Sequence, residues 1–220
     1  MSDYETDKIV VCYNTRPEDF PRMMETLECN PLNYDVYARR IITGHAQGSV
    51  EDPNGKLWPI LNMRLGREDW LDLPAKTYRM LLWFLETNYD GLIKIDSEFS
   101  MVNTEVVHHR LWKWACERAD KPMLAGRVVG DGTHKGLTKR QGVDTYHYPK
   151  VPDAFHEPQP HMPQTWVRGA AYFVNRRAAA QIVGGLRNIW NTRLWAYEDV
   201  MVSEHCAERR NYNFFRGKND

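Results

Sequence analysis

Short apolar runs alternate with amphipathic stretches along most of the chain. KIVVCYNT (8–15) is a brief run rich in β-branched residues, the pattern of a buried strand. PEDFPRMMETLE (17–28) follows with proline at its start and acids in its first turn, which predicts a helix. YDVYARRII (34–42) predicts the next strand, and residues 43–67, punctuated by Gly44, Gly48, Pro53, Gly55 and Pro59, predict a loop. Within 73–88, Tyr78, Leu81, Leu82 and Leu85 fall at i, i+3, i+4 and i+7 behind Pro74, the clearest helical stripe in the chain. GLIKI (91–95) predicts a strand. Asn103 then caps a helix to about Ala119, with Val107, Leu111 and Trp114 on one face. Further along, 122–129 predicts a strand, 130–163 a long proline-rich loop, 165–175 a strand, 176–188 a helix and 198–210 a last helix. Strands alternating with helices in this order predict an α/β fold, one domain over 1–220 with a mainly parallel mixed sheet flanked by helices. A loop as long as 130–163 is usually functional or disordered.

Composition narrows the class. No apolar run approaches the roughly 20 residues of a membrane span, so no membrane partner is expected. The polar, acidic opening MSDYETDKIV does not resemble a signal peptide. Cys12, Cys29, Cys116 and Cys206 lie far apart with no CxxC pair, which argues against a zinc knuckle or a disulfide framework. The expected location is cytoplasmic, the host cytosol if the protein is viral. Charge balances at 29 basic and 29 acidic residues but is unevenly placed: residues 1–120 carry 14 Lys+Arg and 20 Asp+Glu, and residues 121–220 carry 15 and 9. The basic half either faces something anionic or is ordinary surface scatter.

Three segments carry candidate chemistry. In GLIKIDSEFSMVN (91–103) an apolar strand ends directly in Asp96-Ser97-Glu98. Ligands of open α/β sheets bind beyond the carboxyl ends of strands, and two carboxylates there can share a hard divalent cation with a diphosphate. An acidic turn that merely closes a strand has the same pattern. In WAYEDVMVSEHCAERR (195–210), Glu198 and Asp199 open a helix, where acids also complement the helix dipole. Between them, TWVRGAAYFVN places Gly169 where backbone can approach closely, and Trp166 either stacks on a sugar or fills the core.

The order of these motifs is more specific than any one of them. Asp72-Leu73 with Lys76-Thr77, then Lys94-Ile95-Asp96-Ser97-Glu98, then Gly169 with Tyr172, then Glu198-Asp199-Val200, spans roughly residues 70–206. This series resembles the beta-1,3-galactosyltransferase and Fringe superfamily of GT-A glycosyltransferases, whose Rossmann-like domain binds a nucleotide-diphosphate sugar. The resemblance implies an inverting enzyme that moves a sugar from such a donor, a UDP-sugar in the first instance, to an acceptor hydroxyl. It implies that Asp96 and Glu98 hold Mn²⁺ or Mg²⁺ against the diphosphate, that Asp199 is the general base, and that Glu198 orients the acceptor or the base. The donor side, mainly residues 1–103, would comprise Tyr13, Asn14, Thr15, Arg16, Asp72, Lys76, Lys94 and Ser97. Trp166, Arg168, Gly169 and Trp195 would line the acceptor side, within 104–220.

Two departures bear on the metal. Glu98 is one methylene longer than the Asp usual at its position, and the only histidine beyond Asp199 is His205, inside the last helix and a better structural residue than a ligand. His134, His147, His156 and His161 lack tight ligand spacing and fit a loop. For the acceptor, the basic second half suggests a hydroxymethylated base in phage DNA. Lys135, Lys139, Arg140, Arg176, Arg177, Arg209 and Arg210 would track phosphates, and Tyr146 and Tyr148 would stack on a flipped base. The alternatives are a glycan- or protein-directed cytosolic transferase, a nucleotide- or sugar-binding module without catalysis, and a metal-dependent hydrolase or nuclease using the same acids.

Overall fold

All six residues of Ile9–Asn14 are buried, so the first apolar run becomes the central strand β1 rather than an edge. The computed structural model describes residues 8–29, 37–52, 55–65, 72–129, 165–187, 198–206 and 208–217. After β1 come a 3-10 turn (Pro17–Asp19) running into α1 (Phe20–Cys29), β2 (Ala38–Thr43), β3 (Ser49–Glu51), β4 (Leu57–Asn62), α2 (Leu73–Glu86), β5 (Gly91–Asp96) and β6 (Phe99–Met101). Then follow α3 (Glu105–Trp112), prolonged by a π-helical turn (Lys113–Glu117), β7 (Leu124–Val129), β8 (Trp166–Asn175), α4 (Arg176–Arg187), α5 (Glu198–Glu204), β9 (Arg209–Asn211) and β10 (Phe215–Gly217).

Eight strands form one sheet in the order β3-β4-β2-β1-β5-β8-β7-β9, and β6 pairs with β10 apart from it. The sheet is mixed: β1–β2, β1–β5, β2–β4 and β7–β9 are parallel, while β3–β4, β5–β8 and β7–β8 are antiparallel. Helices cover both faces. Met23 and Leu27 of α1, Val107 and Leu111 of α3 and Ala115 of the π turn pack on Val11, Tyr13, Ile93 and Ile95. On the opposite face Met80, Leu81 and Phe84 of α2, Ala178, Ala179 and Ile182 of α4 and Met201 and Val202 of α5 pack on Val10, Cys12, Leu92 and Tyr172. The fold is therefore α/β with a large mixed sheet between helical layers, compatible with a Rossmann-like domain.

This order creates a switch point. From β1 the chain passes through α1 to β2 on one side; from β5 it passes through α3 to β7 on the other. The crevice beyond the carboxyl ends of β1 and β5 is where such sheets bind ligands. Strand alternation turns Asn14, Lys94 and Asp96 to the face covered by α2, α4 and α5.

Several local expectations are corrected. Residues 43–67 contain β3 and β4 rather than loop alone. β4 changes partner in mid-strand: Leu57–Pro59 pair with β3 and Ile60–Asn62 with β2, so Pro59, which lacks an N–H, sits where no bond to β2 is needed. The buried stripe of α2 is Pro74, Thr77, Met80, Leu81 and Phe84, while Leu82 is 37% exposed, a face rotated from the expected one. Thr104 caps α3, its side chain accepting from the Val107 N–H; Asn103 instead pairs through Oδ1 with His108 Nε2 at 2.9 Å. The last helix stops at Glu204, and Arg209–Asn211 pair with β7. The loop 130–163 lies outside the described residues. Among those described, no helix is long and apolar enough to cross a membrane.

Candidate active site

Asn14 and Asp96 end β1 and β5 in register, and Asn14 Nδ2 donates to Asp96 Oδ1 at 3.3 Å. Two residues back on the same face, Lys94 is fully buried. Its ammonium donates to Asp96 Oδ1 at 2.7 Å, to Glu198 Oε1 at 2.5 Å and to the Gly169 carbonyl. A buried charge is tolerated only when it is paired and hydrogen-bonded, and three oxygens meet that requirement here. Tyr172, opposite Lys94 across the β5–β8 ladder, donates its hydroxyl to Glu198 Oε2 at 3.4 Å. Thr77, on the buried face of α2, donates to the same oxygen. Glu198 thus ties α2, β5, β8 and α5 together, with both oxygens engaged.

Asp199 differs from Glu198. Its Oδ2 accepts from the Gly169 N–H at 3.1 Å and its Oδ1 from the Val200 N–H at 2.9 Å, while the residue stays partly exposed. Burial, reinforced by the charge of Glu198, lifts its carboxyl to about 6. Asp96 is also lifted to about 6, by burial opposed by Lys94 and assisted by Glu198. For Lys94, burial works against the ammonium, but the carboxylates of Asp96 and Glu198 outweigh it and raise its pKa.

These shifts set a pH dependence of stability. Both carboxyls titrate near 6 when folded and near 3.8 when free. Between those values the folded chain holds more protons than the unfolded one. Their contribution therefore falls as pH rises from about 4 to about 6 and is flat above. Urea denaturation at pH 4.5, 5.5 and 7 measures it; the expected fall across that window is smaller in Asp199→Asn, and an identical slope would contradict the assignment.

Gly169 is required by close approach. A Cβ placed there would lie 2.9 Å from Glu198 Oε1 and 3.3 Å from Asp199 Cβ. Glu198 cannot retreat without leaving Lys94. Gly169→Ala is expected to cost about 1–3 kcal/mol, the usual range for overpacking, measured by urea denaturation. Unchanged stability would mean the cluster is looser than its distances.

The other sequence-predicted residues divide. Lys76 is buried and donates to the Thr15 carbonyl at 2.7 Å, tying α2 to the end of β1. Ser97 lies in the β5–β6 turn, mostly buried. Asp72 stands at the start of α2 without a side-chain capping bond. Arg16 binds Asp19 at 2.8 Å and Glu18 at 3.3 Å. Tyr13 does not join the crevice: its ring is fully buried, edge-on to Trp58 at 5.4 Å. Trp166 is buried in β8 rather than presented as a platform. Arg168 is exposed, its guanidinium 5.7 Å from the Phe99 ring centre. Trp195 lies outside the described residues. His205 packs against Gly185 of α4, where a Cβ would lie 2.6 Å from its Nδ1.

Three residues were not singled out for the roles they take. Thr77 and Tyr172 converge on Glu198, and Arg22 of α1 pairs with Glu98 at 3.0 Å. The motif series contained Thr77 and Tyr172, but only the antiparallel β5–β8 register reveals their common target. No pattern in the sequence marked Arg22.

The donor set suits a hard cation. Asp96 keeps Oδ2 without a partner among the described residues, and the buried Asn14 Oδ1 likewise accepts nothing. Glu98 stands two residues on, in an exposed ion pair worth at most about 1 kcal/mol. Among the described residues no three His, Cys, Asp or Glu side chains form a ready cage. These oxygens fit an ion completed by water and a ligand's phosphates.

The basic half is partly structural. Arg176 does not track phosphates: it caps the end of α2, donating to the carbonyls of Leu85 at 2.6 Å, Thr87 at 2.7 Å and Tyr89 at 2.9 Å. Arg209 donates to the Ser203 carbonyl at 2.9 Å, and Arg210 pairs with Glu208 at 3.6 Å. Arg177 is exposed. Lys135, Lys139, Arg140, Tyr146, Tyr148 and the four loop histidines lie outside the described residues. Compared with known proteins, the chain matches no family model and no curated protein.

Proposed function

We propose that the chain is an inverting glycosyltransferase of the GT-A kind, using a nucleotide-diphosphate sugar and an acceptor hydroxyl. The observation that carries this reading is Asp199: a partly exposed carboxylate, oriented by two backbone N–H groups, lifted to about 6 and placed on the face that bears Asn14 and Asp96 at the switch point. Such a group is ionised at neutral pH yet basic enough to take a proton. In the proposed step Asp199 removes the acceptor's hydroxyl proton as that oxygen bonds to the anomeric carbon. The bond from that carbon to the diphosphate oxygen breaks on the opposite side, its electron pair leaving with the nucleotide. A hard cation held by Asp96 and Glu98, when bound, supplies neutralisation of the leaving diphosphate's charge. Glu198 and Lys94 act as positioning residues, since neither has a free atom to offer.

For the acceptor we favour a hydroxymethylated base in DNA over a glycan or protein, on the charge of the second half. The test is a thermal-shift screen against UDP-, GDP-, ADP- and CDP-sugars with and without Mn²⁺, followed by transfer assays on hydroxymethylated DNA. Stabilisation by one nucleotide sugar supports the donor site by mass action. No stabilisation by any of them would overturn the reading, and free sugar or nicked DNA made without a donor would replace it with hydrolysis.

A further inference from the structure

Resting on that reading, we propose that Arg22 binds the donor's phosphates and, through its ion pair with Glu98, couples nucleotide binding to metal binding. Arg22 lies in the first turn of α1, the helix that follows β1, and Glu98 in the turn directly after β5, so the pair links the segments that leave the carboxyl ends of the two switch-point strands. Their contact is 3.0 Å, with side chains 58% and 45% exposed. The neighbouring Arg16 is held by acids of its own turn, Asp19 and Glu18. In the candidate metal set, Asp96 is held by the buried Lys94, whereas the exposed Glu98 is held by Arg22.

The pair withholds two groups at once. While Arg22 neutralises Glu98, that carboxylate is a poor ligand, and while Glu98 holds Arg22, the guanidinium is a poor phosphate receptor. Asp96 has only Oδ2 left to offer, because Lys94 and Asn14 already use its Oδ1. An exposed ion pair is weak enough to exchange, and a diphosphate offers a guanidinium a bidentate, more highly charged partner. Turning Arg22 to phosphate releases Glu98 to face Asp96 Oδ2. By linkage the coupling is reciprocal, and typical couplings are about 5–150-fold.

Two titrations avoid chelation between nucleotide and metal: Mn²⁺ alone, and a nucleoside diphosphate in EDTA, each followed by calorimetry and thermal shift. UDP, ADP, GDP and CDP serve as the nucleotides. Arg22→Ala is expected to bind Mn²⁺ at least about 5-fold more tightly and nucleotide at least about 5-fold more weakly than the native chain. Glu98→Gln is expected to do the reverse. Both positions are exposed, so folding is retained, and circular dichroism verifies it. Shifts in the same direction, or none, overturn the coupling while leaving the donor reading standing. Binding of no nucleotide to the native protein, either in EDTA or with Mn²⁺ present, overturns the donor reading and the coupling with it.

Discussion

Asp199→Asn is expected to lower sugar transfer by about 10²–10⁴-fold, the usual contribution of a general base, while leaving nucleotide binding nearly unchanged. The split follows from placement. Among the described residues Asp199 accepts hydrogen bonds from the Gly169 and Val200 N–H groups, whereas Asn14 and Asp96 stand at the strand ends, where the proposed donor would bind. The native chain should also show an acid limb in kcat/KM, steeper than tenfold per pH unit well below about 6 and level above, because Asp199 as base and Asp96 as cation ligand must both be ionised and both carboxyls lie near that value. Asp199→Asn should lower the rate and reduce the limb to the single ionisation of Asp96. The measurement is steady-state transfer across pH 4.5–8, with nucleotide binding followed in parallel. Loss of binding equal to the loss of rate would make Asp199 a donor-site residue, and full activity would end its assignment as base.

The centre of the sheet was legible because its strands are buried on both faces. Residues 9–13 are a continuous apolar run and 91–95 one broken only by Lys94, and β1 and β5 lie where those runs fall. β3 and β4 were hidden by Gly48, Gly55 and Pro59, which mark turns locally but here accompany a strand that changes partners in mid-course. β9 was hidden for the opposite reason. Arg209–Asn211 follow residues of good helix propensity, and only the free edge of β7 draws them into a strand.

The site divides the same way. Asp96, Glu198 and Asp199 were visible as acids at the ends of elements, yet the different ways in which Glu198 and Asp199 are held were not. Glu198 and Asp199 are neighbours with opposite fates: one is saturated by Lys94, Thr77 and Tyr172, the other held by backbone and left accessible. That difference depends on the β5–β8 register and on the approach of Gly169, neither of which local composition encodes. Arg176 shows the converse error. A basic residue in a basic half suggested phosphate, but its four carbonyl partners lie at and just beyond the end of a helix.

Lys94 carries the largest expected effect on stability. Lys94→Met keeps a long apolar stem among Leu92, Tyr172 and the helices but removes the cation between Asp96 and Glu198. Breaking one side of a buried ion pair costs about 3–5 kcal/mol, because the partner charge remains buried. At about 2–4 °C per kcal/mol for a chain of this size, Tm should fall by about 6–20 °C. The loss should be smaller at pH 5 than at pH 8, since without Lys94 both carboxyls can take up protons as pH falls. Glu198→Gln should cost less: Lys94 retains Asp96 at 2.7 Å, and the amide keeps one oxygen for the hydroxyls or the ammonium. Combining the two substitutions should cost less than their sum, the signature of direct coupling in a double-mutant cycle. Additive losses, or a Tm within about 1 °C of native in Lys94→Met, would show that the cluster does not hold α5 to the sheet. Because Lys94 also binds the carbonyl of Gly169, whose N–H orients Asp199, the same substitution should slow transfer even in the fraction that remains folded.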